Sequence, residues 1–312
     1  MTKKVIIPKG LSQAGKDYLT EHHLQTIELK DTSAATILSN APEADGIVLM
    51  TEPFPNDTIA QMPNLKVIAR HGVGYDNVDQ DYMQQHNIWV TITPNANAST
   101  VAETTLAEML DLSKNLTAIS DKMRTGDFDY KGSHMGFDLA GKKLGIMGYG
   151  RIGRMVAHKA SALGMTTLIY DPFVKEADAG TLVDRDTLFK EADIITLHMA
   201  VTPENTAGIG QHEFELMKSS AVIINLGRGA LVDQNALIQA LKNKTIRGAA
   251  LDVFNEEPLP LTSPFYTLDN VLLTPHIASN TVECMSRMAV DSASEVVRVL
   301  SGEKPEWPVN QI

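Results

Sequence analysis

A short apolar run, Leu144-Gly145-Ile146-Met147, passes directly into Gly148-Tyr149-Gly150-Arg151-Ile152-Gly153, and a helical stretch from Arg154 to Leu163 follows. Strand, glycine turn and helix in that order confine the surrounding chain to βαβ architecture around a parallel sheet. Each glycine answers a steric demand. Gly148 allows the tight turn, Gly150 lets backbone N–H groups approach a phosphate, and Gly153 lets helix and strand pack closely. The helix N-terminus adds partial positive charge at the same point. An ordinary Gly-rich turn would also satisfy this pattern, so the neighbouring sequence has to decide.

It favours a dinucleotide. Thr167-Leu168-Ile169-Tyr170-Asp171 reads as the next strand and ends in a carboxylate 18 residues beyond Gly153. An acid there accepts hydrogen bonds from ribose hydroxyls and repels a 2′-phosphate, which points to NAD. Pro172 and Phe173 offer no compensating cation; Lys175 is the nearest one. Tyr149, Arg151 and Ile152 complete the cofactor-binding turn.

The alternation continues on both sides. Leu144 to Met147, Thr167 to Tyr170, Ile194 to Leu197, Ala221 to Asn225, Ala249 to Leu251 and Val271 to Leu273 are six strand candidates with helical stretches between them. They suit a doubly wound sheet. In the first third, Val5 to Ile7, Gly46 to Met50, Val67 to Ala69 and Ile88 to Ile92 read as buried strands of a second parallel sheet. Ser99 to Arg124 reads as one long helix, with no Pro or Gly until Gly126. The last helix runs from Val282 to Leu300, and the tail containing Trp307 is expected to pack back on the first domain.

Composition narrows the function classes. The chain has 312 residues, enough for two domains, and 43% hydrophobic content, typical of a globular protein. Its net charge of −11 disfavours nucleic acid or an anionic membrane as a general partner. With one cysteine, Cys284, there is neither an internal disulfide nor a Cys-based metal cage, as expected in the cytoplasm. No apolar run approaches membrane-spanning length, and no close His/Glu ligand spacing occurs, so no metal is expected.

Three further segments put polar residues at strand ends, where open α/β sheets hold their ligands. Ile223-Ile224-Asn225-Leu226-Gly227-Arg228-Gly229 places an arginine between glycines, where its guanidinium can fork onto a carboxylate; a surface Arg in a loop is the alternative. Asp252-Val253-Phe254-Asn255-Glu256-Glu257-Pro258 and Thr274-Pro275-His276-Ile277-Ala278-Ser279 supply a carboxylate and an imidazole. A histidine at a strand end serves as acid and base, and Glu257 is the natural partner to fix its tautomer.

Together with Arg70-His71-Gly72-Val73-Gly74-Tyr75-Asp76-Asn77-Val78-Asp79, these segments resemble the ordered signatures of the D-isomer-specific 2-hydroxyacid dehydrogenase family, over essentially the whole chain. The resemblance implies two Rossmann-like doubly wound domains with the active site in the cleft between them. Residues 1–98 plus 284–312 would form the substrate domain and 99–283 the NAD domain. By similarity, His276 protonates the keto oxygen during hydride transfer, Glu257 keeps His276 protonated, and Arg228 orients the substrate. The amides of Val73 and Gly74 would hold the substrate carboxylate. Asp252 would lie by the nicotinamide, Met199, Ala200 and Thr206 along the adenosine, and Leu226 and Gly227 among the other cofactor contacts. The family commonly has proline where this chain has Ala200, which loosens that turn but leaves its backbone acceptors. A homodimer through the NAD domains is also implied.

The expected activity is NAD-dependent interconversion of a D-2-hydroxy acid and its 2-keto acid. Formate dehydrogenase is disfavoured by Glu257, since its histidine is partnered by glutamine. An NAD-sensing corepressor is the alternative from another class. Met50 and Glu52 stand where phosphoglycerate dehydrogenases carry phosphate-binding arginines, so an unphosphorylated substrate is expected. Arg70 and His71 could still bring positive charge from the neighbouring loop; phosphoglycerate is then the alternative substrate.

Overall fold

The computed structural model describes residues 2–312. The chain divides into two compact units, one running to Asn97 and resuming over Ser279–Ile312, the other formed by Ala98–Ala278. A crossing between 283 and 284 would cut the first turn of the last helix; the chain leaves the second unit before that helix begins.

The first unit begins β1 (Lys4–Pro8), α1 (Gln13–Glu21), β2 (Gln25–Leu29), α2 (Ala34–Asn40), β3 (Gly46–Leu49), α3 (Asn56–Ile59), β4 (Val67–Arg70), α4 (Gln80–Gln85) and β5 (Trp89–Thr91). The second unit holds α5 (Ala98–Lys114), α6 (Leu116–Arg124), α7 (Tyr130–Ser133), β6 (Lys143–Met147), α8 (Arg151–Ala162), β7 (Thr166–Tyr170), β8 (Thr181–Leu182), α9 (Arg185–Glu191), β9 (Ile194–Leu197), α10 (Gln211–Leu216), β10 (Val222–Asn225), α11 (Gln234–Lys242), β11 (Gly248–Leu251) and β12 (Val271–Leu273). Helix α12 (Val282–Leu300) returns to the first unit.

Both sheets are parallel throughout. The first has the order β2-β1-β3-β4-β5, the second β12-β11-β10-β9-β6-β7-β8. These are doubly wound orders, and in the second sheet the winding reverses between β6 and β9. Strands β3, β4, β9, β10 and β11 are buried along their whole length, as uninterrupted apolar runs covered on both faces must be. Each fully buried Val, Ile or Leu contributes about 1.5–3 kcal/mol of transfer free energy. In the second unit Leu188, Phe189, Phe214 and Leu237 cover one face of the sheet, and Val101, Met109, Val156 and Ala160 cover the other.

Two features depart from the sequence reading, and a third adds to it. Strand β2 is an edge strand with Gln25 and Glu28 in solvent or nearly so, and β8 is only two residues long; neither carries a buried apolar run. The stretch Ser99–Arg124 is two helices rather than one. Asn115 breaks it in the left-handed region at φ 53°, a conformation asparagine tolerates, and its Nδ2 donates to the His134 carbonyl at 2.8 Å. The tail packs on the first unit as expected, and polar groups not evident in the sequence help to anchor it. Asn310 donates to Ile88 O at 2.8 Å and accepts from Val90 N at 3.0 Å, while buried Glu295 accepts the N–H groups of Glu306 and Trp307. Among the described residues no helix is long and apolar enough to cross a membrane.

Candidate active site

The carboxyl ends of β6 and β9 meet where the winding reverses, and there the glycine turn lies. Gly148 sits at φ +93°, and a Cβ on it would stand 2.6 Å from the His198 carbonyl oxygen. At Gly153 a Cβ would overlap the Gly148 carbonyl, so only glycine lets α8 approach β6 this closely. Gly150 is the opposite case. Nothing lies within 4 Å of the position its Cβ would take, and no side chain caps α8, which begins at the next residue. The result is an open cradle at a helix N-terminus, suited to a pyrophosphate.

Around the cradle, Asp171 ends β7 and accepts N–H groups of Tyr149 at 2.7 Å and Phe173 at 2.9 Å, which aims its carboxylate along the loop. Its oxygens retain lone pairs for ribose hydroxyls. The Tyr149 side chain turns beneath the loop, where its hydroxyl donates to Asp178 at 2.7 Å and accepts from Ala179 N at 3.0 Å. Arg151 is exposed on the first turn of α8, and Ile152 packs against the core. Met199 lies beside Gly148. The turn at Ala200 is braced without proline: Asn205 Nδ2 donates to Ala200 O at 2.8 Å, Thr202 N donates to Asn205 Oδ1 at 2.7 Å, and Thr206 Oγ1 donates to Thr202 O at 2.8 Å. This residue set fits a nicotinamide dinucleotide.

The three expected catalytic residues follow β10, β11 and β12. Asn225, at the end of β10, donates through Nδ2 to Arg228 O at 2.9 Å and accepts from Gly227 N at 3.1 Å, so it braces the loop from within. Leu226 is buried beneath that loop, and a Cβ on Gly227 would press on Leu231 and Leu197. Arg228 Nη1 donates to Gly227 O at 2.9 Å. A Cβ at Gly229 would collide with the backbone of Phe254, so this glycine brings the Arg228 loop against the Glu257 loop. His276 sits at φ 54°, a strained position for a side-chain-bearing residue, and its Nδ1 donates to Glu257 Oε2 at 2.7 Å. Nε2 takes no part in that bond. Burial works to raise the Glu257 pKa, but the bonds from His276 and Phe254 N together with the His276 and Arg228 charges outweigh it and leave the carboxyl below its usual value.

Asp252 is 0% exposed, beneath the His276 turn, and accepts from Thr274 Oγ1 and Ile277 N, both at 2.7 Å, and from Ala278 N at 2.8 Å. These three bonds hold the turn. Sequence reasoning missed Thr274 and, behind it, Glu108, whose Oε1 lies 3.0 Å from Thr274 Oγ1. The available signal was a carboxylate between Thr105 and Met109 on the buried face of α5.

In the first unit, Val73 and Gly74 lie in the partly exposed loop after β4. Arg70 is 4% exposed and donates through Nη1 to Leu49 O at 2.6 Å and through Nε to Gly74 O at 3.0 Å, which ties this loop to β3. Burial, with the Arg70 charge reinforcing it against the Met285 carbonyl, pushes the His71 pKa down to about 4. Arg70 is thus buried and turned onto backbone carbonyls, and His71 carries no charge at neutral pH. Glu52 accepts from the buried hydroxyl of Thr32 at 2.9 Å, which orders the loop after β3. Among the described residues no group of three or more His, Cys, Asp or Glu side chains is placed to hold a metal.

Comparison with known proteins accounts for this arrangement. Residues 106–278 match the model of the D-isomer specific 2-hydroxyacid dehydrogenase NAD binding domain. The chain is 37% identical to a glyoxylate reductase of Thermococcus litoralis over 100% of its length and 98% of the relative's. It is 39% identical to a D-3-phosphoglycerate dehydrogenase of Methanocaldococcus jannaschii over 88% of this chain and 53% of that protein, so the match spans about half of that relative's length. The structure of an NADPH-dependent glyoxylate/hydroxypyruvate reductase from Sinorhizobium meliloti, in complex with NADP and malonate, superposes with a TM-score of 0.90 at 26% identity, covering 99% of this chain and 97% of that one. With the glycine turn, the braced arginine loop and the Glu257–His276 pair in one unit, the chain belongs to the D-isomer specific 2-hydroxyacid dehydrogenase family.

Proposed function

We propose that the protein interconverts a D-2-hydroxy acid and its 2-keto acid with NAD as the hydride carrier, and that the substrate is unphosphorylated. The observation that carries this reading is the 2.7 Å bond from His276 Nδ1 to Glu257 Oε2 at the carboxyl ends of β11 and β12. It fixes one tautomer, keeps a counter-charge beside the imidazole and leaves Nε2 to exchange a proton.

The nicotinamide, when bound, supplies the hydride to the keto carbon or removes it from the hydroxy acid. Gly148, Gly150 and Gly153 would seat the pyrophosphate, Asp171 the ribose, and Met199, Ala200, Thr206, Leu226 and Gly227 the remaining contacts. In reduction His276 Nε2 gives its proton to the keto oxygen and recovers one from solvent; in oxidation the same nitrogen takes the hydroxyl proton. Glu257 remains a carboxylate and stabilises the imidazolium. Arg228 holds the substrate through its planar fork, and the amides of Val73 and Gly74 take the substrate carboxylate.

Preference for NAD rests on the Asp171 charge where a 2′-phosphate would stand. Preference for an unphosphorylated acid rests on Met50 and Glu52, on His71 being uncharged at neutral pH, and on the Arg70 guanidinium being buried and turned onto backbone carbonyls. The names of the archaeal relatives cover both glyoxylate reductase and phosphoglycerate dehydrogenase, so the assay has to separate them. A homodimer through the second unit is part of the proposal, supported by the exposed side chains of Leu116, Met123, Phe128 and Met135. Sedimentation at equilibrium reads it.

The decisive experiment follows NADH and NADPH oxidation with pyruvate, glyoxylate, hydroxypyruvate, phenylpyruvate and 3-phosphohydroxypyruvate. Turnover of an unphosphorylated acid with NADH preferred is expected. If 3-phosphohydroxypyruvate has the highest kcat/KM, the substrate reading is wrong; if no keto acid turns over, the NAD-sensing alternative takes its place.

A further inference from the structure

Glu108 lies in the middle of α5, 4% exposed, and belongs to no part of the mechanism above. Its Oε1 is 3.0 Å from Thr274 Oγ1, and the same hydroxyl is 2.7 Å from Asp252 Oδ1. A threonine hydroxyl has a single hydrogen, yet both neighbours are carboxyl oxygens. Were both acids ionised, one would face the hydroxyl's lone pairs at hydrogen-bonding distance with no proton between them. Asp252 is the acid equipped to stay ionised, because it also takes the N–H groups of Ile277 and Ala278. Glu108 has no comparable donors, and its Oε2 is buried with no hydrogen-bond partner. An unpartnered carbonyl oxygen of a neutral acid is far cheaper to bury than an unpartnered carboxylate oxygen.

We propose that Glu108 is a positioning residue held as a neutral acid, whose O–H donates to Thr274 Oγ1 and thereby commits the threonine hydrogen to Asp252. The chain of bonds then runs from α5 through Thr274 and Asp252 to the amides of Ile277 and Ala278, which follow His276 in its strained turn. Its effect on turnover rests on the function proposed above; its protonation does not.

The electrostatic surroundings agree. Burial pushes the Glu108 pKa up to about 8; the Thr274 bond opposes this, and the charges of Asp252 and Asp111 reinforce it. Among the described residues no cation of the packed elements is shown paired with it. On α8 Arg154 and His158 pair with Asp178, Lys159 reaches Glu103 at 3.5 Å and Arg151 is exposed; β10 and β11 have no charged residue, and Asp121, Lys122 and Arg124 of α6 are exposed. Above about pH 8 an ionised Glu108 would compete for the Thr274 hydrogen, and Asp252 would lose a donor.

The test compares wild type with Glu108→Gln, whose amide N–H can make the same bond without titrating. Between about pH 5 and 8 the folded wild type holds a proton that the unfolded chain has released, so its stability falls as pH rises. The melting temperature of Glu108→Gln relative to wild type should therefore climb through that range and level off above it. A difference that does not change with pH overturns the proposal. If the amide variant does not fold, Glu108→Met fills the same volume without a titrating group and gives the same comparison.

The second arm is kcat for hydroxy-acid oxidation. That direction uses unprotonated His276, so loss of the His276 proton does not slow it at alkaline pH. Wild type should fall threefold or more between about pH 8 and 9.5 while Glu108→Gln holds the plateau. Superimposable profiles overturn the positioning role. A protein with no hydroxy-acid activity at all overturns the functional reading, and the stability comparison still decides the state of Glu108.

Discussion

Replacing Gly153 by alanine tests whether the glycine turn is built for close approach or is an ordinary turn. The added Cβ would overlap the Gly148 carbonyl oxygen, lying 3.1 Å from its carbon and 3.3 Å from Ile146 Cγ2. Normal carbon-to-oxygen contact requires α8 to withdraw by roughly an ångström. Overpacking of this kind costs about 1–3 kcal/mol, and a backbone carbonyl, which cannot swing aside, puts it at the upper end. Alanine recovers about 1 kcal/mol of helix propensity, so the net loss is about 2 kcal/mol. Urea unfolding followed by circular dichroism reads this directly. NADH titration by fluorescence should show at least about tenfold weaker binding, because the first N–H groups of α8 move with the helix. Gly150→Ala is the matched control. Its methyl meets nothing within 4 Å and its backbone, φ −76° and ψ −158°, suits alanine. Stability should change by less than about 1 kcal/mol while NADH affinity falls, since the methyl fills the cradle. A Gly153→Ala protein as stable as wild type, or a Gly150→Ala protein with unaltered NADH affinity, refutes the reasoning.

His276→Ala should lower kcat by roughly 10²-fold or more while leaving NADH affinity nearly unchanged, as steady-state rates and direct titration would show; near-normal turnover would sink the assignment. Glu257→Gln removes the carboxylate facing Nδ1, so the alkaline limb of the pH–rate profile for keto-acid reduction should move to lower pH. Because the Glu257 pKa is depressed in the folded protein, its contribution to stability is present at neutral pH and is lost as pH falls through that depressed value. Relative to wild type, the Gln variant should therefore lose less stability on acidification, as melting curves across the acid range will show. Asp171→Ala should narrow the ratio of kcat/KM for NADH over NADPH, and an unchanged ratio would mean that Asp171 does not set it.

Much of the second unit is legible in the sequence because its determinants are local. Largely apolar runs mark β6, β7, β9, β10, β11 and β12, and Gly148 and Gly153, which follow β6, have no tolerable substitute in this strand-to-helix turn. Glu257 and His276 are visible for a related reason: each lies in the loop that follows a strand of the parallel sheet, at the end where such sheets collect ligands. Two of the four edge strands escape this logic. β2 and β8 bury little, so no apolar pattern announces them. Asn115 escapes it as well, since only its φ of 53° reveals that it ends α5.

What pairs across the chain was decided by the tertiary structure alone. Nothing local to Arg70 says that its guanidinium is buried and donates to the carbonyls of Leu49 and Gly74, which ties the loop after β4 to β3. Asp252 reads as a site residue, and only the fold shows that it also braces the His276 turn. Glu108 is 166 positions from Thr274, and its protonation depends on a single shared hydrogen between two acids. Local sequence sets backbone preference and burial pattern, which are sums over near neighbours. The protonation and reach of a buried polar group are set by whichever groups the fold brings within 3 Å, and those come from distant segments.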